Sequence, residues 1–216
     1  MNRRHLFKAA SAAVITILAG PVFAQRALQA GKDYRQISPA QPTESGDKIE
    51  VLEFFSYGCP HCRDLDPILA DWEKRLPKDV ALRRIPVTFN RDAWTVLAKL
   101  YLSFEVMGEA ARMAAPTFVA VHDERLNLGD EAVRNAWLQK QGVNVAKFNE
   151  TFRSFAVASK LQRATQLAGA YQIQGVPSLI VDGKYTTAPS MVNSLEGTVT
   201  AADQLIAMAR KERGRK

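Results

Sequence analysis

Apolar residues stand almost shoulder to shoulder in Val51-Leu52-Glu53-Phe54-Phe55, broken by a single acid. A strand covered on both faces has no polar side, so this run predicts a central strand. The polar stretch 41–48 before it, with Pro42, Ser45 and Gly46, predicts a loop after a short first strand around 34–37. Ser56-Tyr57-Gly58 ends the run, and the period then changes: Leu65, Leu69, Trp72 and Leu76 fall at helical spacing. Residues 80–87 predict a further strand, which Pro86 places near a sheet edge.

After Asn90 the pattern is helical. Trp94/Leu97/Tyr101/Phe104, Val133/Trp137, Phe148/Phe152/Phe155 and Leu161/Ala164/Ala168/Tyr171 recur at three or four residues, with Pro116 and Gly142 as expected breaks between helices. Strands return at 176–181. Asp182-Gly183 is a two-residue hairpin signal leading into Lys184-Tyr185-Thr186. Thr200-Ala201-Ala202-Asp203 reads as a capping box opening a last helix. The order β-β-α-β, helical block, β-β-α predicts an α/β fold: a sheet domain over 25–90 and 174–216, interrupted by a helical insertion over 91–173. The tryptophans Trp72, Trp94 and Trp137 are expected to pack the core.

The first 24 residues fall outside this pattern. Arg3, Arg4 and Lys8 precede a largely apolar stretch over 9–19, Pro21 breaks it, and Val22-Phe23-Ala24 offers small residues at a cleavage site. That layout predicts a secretory signal peptide over 1–24. The apolar run is far short of the ~20 residues that span a bilayer, which argues against a retained anchor. The arginine pair leaves the general and twin-arginine export routes both open. Removing the segment takes away those three positive charges, so the net charge of +7 becomes +4. The basic residues then concentrate at the end, in Arg210, Lys211, Arg213, Arg215 and Lys216, where they suit a helix C-terminus fraying into solvent. No basic face with interleaved aromatics is evident, so nucleic acid is not an expected partner.

What remains is long enough for a sizeable core without disulfide support. Yet the chain has two cysteines, and they stand three apart in Cys59-Pro60-His61-Cys62, where the strand gives way to a helix. Cys59 at the helix N-terminus faces unpaired N–H groups and the positive end of the dipole, both of which favour thiolate. Cys62 lies a turn inside. Pro60 lacks an N–H and presets the first turn. His61 can donate a hydrogen bond or place positive charge beside Cys59. A c-type haem site needs His after the second Cys, and Arg63 stands there. A zinc site needs about four ligands, and beyond the leader the histidines are His61 and His122, the latter expected on a helix surface or in packing. No metal is expected. Two readings stay open on the residues alone: a redox pair, or an inert structural disulfide closing a very small loop.

With Val51-Leu52-Glu53-Phe54-Phe55, Cys59-Pro60-His61-Cys62 and Gly175-Val176-Pro177 in view, the chain resembles the DsbA family, over nearly all of the mature chain. The resemblance implies a thioredoxin-like fold with an inserted α-helical domain, and a periplasmic dithiol oxidase that introduces disulfides into exported proteins. It implies no cofactor beyond a redox-active Cys59–Cys62 disulfide. Its implied partners are reduced, incompletely folded exported proteins and a quinone-linked membrane reoxidant of DsbB type, with the enzyme a monomer. By the same resemblance Pro177 is a cis-proline whose neighbour Val176 offers backbone to bound peptide, Glu53 is a buried acid relaying a proton with Cys62, and Pro67 kinks the active-site helix. The alternatives are an isomerase or reductase of the same fold, and a non-catalytic peptide-binding chaperone with a structural disulfide.

Overall fold

The computed structural model describes residues 26–214; the expected leader over 1–24 lies outside them, as do Arg215 and Lys216. A sheet in the order β1-β5-β4-β2-β3 is formed by β1 (Arg35–Gln36), β2 (Ile49–Phe55), β3 (Val80–Pro86), β4 (Ser178–Val181) and β5 (Tyr185–Thr187). β2 pairs parallel with the edge strand β3, and the other pairings are antiparallel. The parallel pair needs a crossover. α1 (Pro60–Glu73) supplies it.

All of β2 is buried, and its side chains alternate between two cores. Ile49 and Val51 pack with Leu65, Leu69 and Trp72 of α1 and with Leu205 and Ile206 of α8 (Leu195–Glu212). Leu52 and Phe54 pack on the other face with Ala164 and Leu167 of α6 (Phe155–Ala170). Between β3 and β4 the chain runs through α2 (Asp92–Met107), α3 (Ala110–His122), α4 (Glu131–Lys140), α5 (Val145–Phe152) and α6; a short α7 (Pro189–Val192) precedes α8. A third core joins the helical segment to the strand end: Phe55, Tyr57, Cys59 and Cys62 share it with Leu100, Phe104 and Phe118. An ionic chain ties the two parts as well, because Glu44 pairs with Arg83 of β3 and with Arg163 of α6.

Asp182 and Gly183 both adopt positive φ, 56° and 65°. This is the hairpin geometry that their sequence predicts. A Cβ on Gly183 would stand 2.1 Å from the Gln41 carbonyl oxygen, so glycine is required there.

Four expectations are corrected. Pro116 does not separate helices but lies inside α3. Its missing N–H costs the helix a bond, yet Met113, Thr117, Phe118 and Ala120 bury one continuous face that keeps the helix going. Phe148/Phe152/Phe155 is not one stripe. Ser154 caps α6 by accepting from the Val157 N–H, which places Phe155 at 86% exposure. α8 starts earlier than the Thr200 pattern predicts, because Ser194 Oγ accepts from the Gly197 N–H at 2.8 Å. Thr200 then donates to the Glu196 carbonyl inside the helix, and Asp203 accepts from the Trp72 indole. Finally, two of the C-terminal cations, Arg210 and Arg213, are anchored rather than frayed. Arg210 holds both oxygens of Asp79, and Arg213 holds Asp182 and the carbonyls of Asp47 and Lys48.

Candidate active site

β2 leads through Ser56-Tyr57-Gly58 to Cys59, the N-cap of α1, in an extended conformation (φ −102°, ψ 120°). Pro60 follows at the first helical position, where an N–H would have no intrahelical partner. The Cys59 carbonyl accepts from the N–H groups of Cys62 and Arg63, both at 3.1 Å. Cys59 is 6% exposed and Cys62 is fully buried, and both are free thiols.

The two sulfurs have opposite electrostatics. The Cys62 thiol hydrogen-bonds to the Cys59 sulfur, the amides of Cys62 and His61 add to it, and His61 contributes attraction; together they overcome burial and lower the Cys59 pKa from 9.0 to about 6. Burial pushes the Cys62 thiol far up, and the neighbouring Cys59 and Glu53 push it further. At neutral pH the pair is therefore a thiolate beside a thiol, with Cys62 the donor.

Facing them is the loop before β4. The Val176–Pro177 peptide bond is cis, and the Val176 carbonyl lies 3.4 Å from Cys59 Sγ. An open cavity of about 790 Å³ adjoins this contact, lined by the exposed His61 together with Gln172, Gly175, Val176, Pro177 and Met191. The structure thus brings Cys59, His61, Val176 and Pro177 to one surface. Pro67 lies inside α1.

Glu53 sits on the α1 side of β2, buried, 3.1 Å from Arg84, which also holds Glu73 at 3.0 Å. The Arg84 Nε contact is close enough to attract but too poorly aligned for a hydrogen bond. Burial dominates and pushes the Glu53 carboxyl up to about 7, against the pull of Arg84 and with a push from Asp66. Asp66 itself is raised by burial on α1, and nothing in its sequence surroundings marked it.

Two residues expected only in packing or on a helix surface, Trp94 and His122, border the site instead. Trp94 is only half-buried, and its indole occupies the space beside Gly58, where an added Cβ would lie 2.6 Å from Nε1. His122 places Nε2 2.8 Å from the Tyr57 carbonyl oxygen. Both come from the helical segment, and no local pattern links either to the cysteines.

The chain matches the model of the DSBA-like thioredoxin domain over residues 50–198. It is 40% identical over 207 residues to the thiol:disulfide interchange protein DsbA of Bordetella parapertussis, covering 95% of this chain and 96% of that one. To the protein of the same name from Pseudomonas aeruginosa it is 37% identical over 177 residues, covering 82% and 83%. A crystal structure of Pseudomonas aeruginosa DsbA superposes with a TM-score of 0.83 at 36% identity, over 87% of this chain and 97% of that one. Its Cys-Pro-His-Cys helix terminus, its sheet with the intervening helices and these likenesses agree: the chain belongs to the family of DSBA-like thioredoxin domains.

Proposed function

We propose that this protein is a periplasmic thiol–disulfide oxidoreductase that introduces disulfides into exported proteins. One observation carries the reading. Cys59 is a partly shielded thiolate former at a helix N-terminus beside an open cavity, while Cys62 behind it is a buried thiol. In the oxidised enzyme a substrate thiolate attacks Cys59 Sγ, and the Cys59–Cys62 bond breaks with Cys62 as leaving group, taking up a proton. The substrate's second thiolate then attacks the sulfur of its own chain in the mixed disulfide and expels Cys59 as thiolate. Two electrons pass from a substrate dithiol to the enzyme disulfide. Departure of Cys59 is favoured by the same contacts that lower its pKa.

Pro60 and His61 shape the helix terminus around Cys59, and Glu53 supplies or receives the proton of Cys62. Val176, beside Pro177, offers its carbonyl to the extended backbone of the substrate, close to the Cys59 sulfur. The sheet domain comprises 25–90 and 174–216 and the helical insertion 91–173, with 1–24 a cleaved signal peptide. The enzyme works as a monomer on reduced, partly folded exported chains. A quinone-linked membrane protein of DsbB type reoxidises it, and the Cys59–Cys62 disulfide serves in place of any cofactor.

The test is trapping of a cysteine-containing peptide. Cys62→Ser should accumulate a mixed disulfide through Cys59, and Cys59→Ser should give none and lose oxidase activity. Adducts on Cys59→Ser would reverse the assignment, and activity in both variants would return the pair to a structural role.

A further inference from the structure

The peptide group between Tyr57 and Gly58 is held at both ends. Its carbonyl oxygen lies 2.8 Å from His122 Nε2, and its N–H donates to Ser56 Oγ at 3.1 Å. A carbonyl oxygen only accepts, so Nε2 carries the hydrogen in this contact. A peptide group is planar, and two bonds at its opposite edges fix its rotation. The next residue is Cys59, whose own N–H returns to the Ser56 carbonyl at 3.0 Å.

His122 is a well-braced donor. Its ring stacks on the buried Phe118, with centroids 6.2 Å apart and planes 26° from parallel. The following residue, Asp123, pairs with Arg63 of α1 at 3.1 Å. The end of α3 therefore grips both the loop before Cys59 and the first turn after it. Trp94 of α2 closes the third side against Gly58.

We infer that His122 is a positioning residue for the exchange reaction: by donating to the Tyr57 carbonyl it sets the Tyr57–Gly58 peptide plane, and with it the direction in which Cys59 presents its sulfur. The inference rests on the proposed role of Cys59 as the exchanging sulfur. Hydrogen bonds to a thiolate depend on direction, so a turned peptide plane moves the sulfur off the amides of His61 and Cys62 that stabilise it. On this account the helical segment does more than cover the sheet, because it carries the donor that orients the reactive residue.

The experiment compares reduced wild type, His122→Leu and His122→Gln by thiolate absorbance against pH, with a thermal midpoint for each. Gln can place an N–H near Nε2, and Leu fills similar space without a donor. His122→Leu should raise the Cys59 midpoint by about half a unit, a roughly threefold smaller ionisation constant. His122→Gln should restore the wild-type midpoint. A purely structural role would lower the thermal midpoint and leave the thiolate midpoint in place. An unshifted His122→Leu, or a His122→Gln shifted as far, overturns the inference. Should His122→Leu not fold, His122→Asn, whose amide is too short to reach, replaces it under the same criteria. A wild-type midpoint at an ordinary ~8.5 would instead overturn the exchange reading itself.

Discussion

The carboxyl of Glu53 is held protonated by its surroundings more than by any one partner, and this gives it a pH signature. Its pKa rises on folding, from 4.5 to about 7, with burial the largest cause and Arg84 opposing. Below about pH 4.5 both the folded and unfolded chains keep the proton. Between there and about pH 7 the unfolded chain releases it first, so the carboxyl's contribution to stability falls with rising pH, by up to ~3 kcal/mol. Glu53→Gln cannot ionise. Its stability relative to wild type should therefore climb across that window and level off above it, as urea unfolding at pH 4 and pH 8 would show. A difference that stays constant with pH would mean that Glu53 titrates alike in the folded and unfolded chains. Cys59, His61 and Cys62 were legible because their chemistry is written in adjacent positions, whereas the partners that complete the site are remote. The Tyr57 carbonyl and His122 are 65 residues apart, and Cys59 and Val176 are 117 apart. The match to Gly175-Val176-Pro177 brought in the second pair. Nothing in the local pattern around His122 could bring in the first.

Elements whose signals are local were read well. β2 announces burial on both faces, and the Asp182-Gly183 turn announces its hairpin through conformational demand. Reading failed where two local signals competed or tertiary packing overrode one. Pro116 should break a helix, but the buried face of α3 outweighs the lost bond. Thr200 and Ser194 are both plausible caps, and only the structure shows that Ser194 holds the Gly197 N–H. That distinction is measurable. Ser194→Ala should destabilise the protein by ~1 kcal/mol, and Thr200→Ala, partly exposed within the helix, by less than ~0.5 kcal/mol. Denaturant midpoints of the two variants check this, and the reverse order would start α8 at Thr200.

For the molecule as a whole, the redox state sets stability through two opposed terms. Closing a four-residue loop favours the oxidised form by ~2 kcal/mol. The Cys59 thiolate favours the reduced form, because its pKa falls on folding from 9.0 to about 6. That contribution is absent below about pH 6, grows by ~1.4 kcal/mol per unit above it, and levels off near pH 9. The two terms therefore cancel near pH 7.5. Thermal unfolding should find the oxidised form more stable at pH 5 and the reduced form more stable at pH 8.5. An oxidised form that stays ahead by the same margin at both values would leave Cys59 an ordinary thiol. The contact between Cys59 and Val176 has one more effect, on timing during synthesis. Ribosomes deliver the N-terminal cysteines well before residue 176, and the helices that brace the loop also come later in the chain. An unfinished chain thus carries the two cysteines without the loop that faces them, and the cavity beside them is complete only when residues 172–191 have folded in.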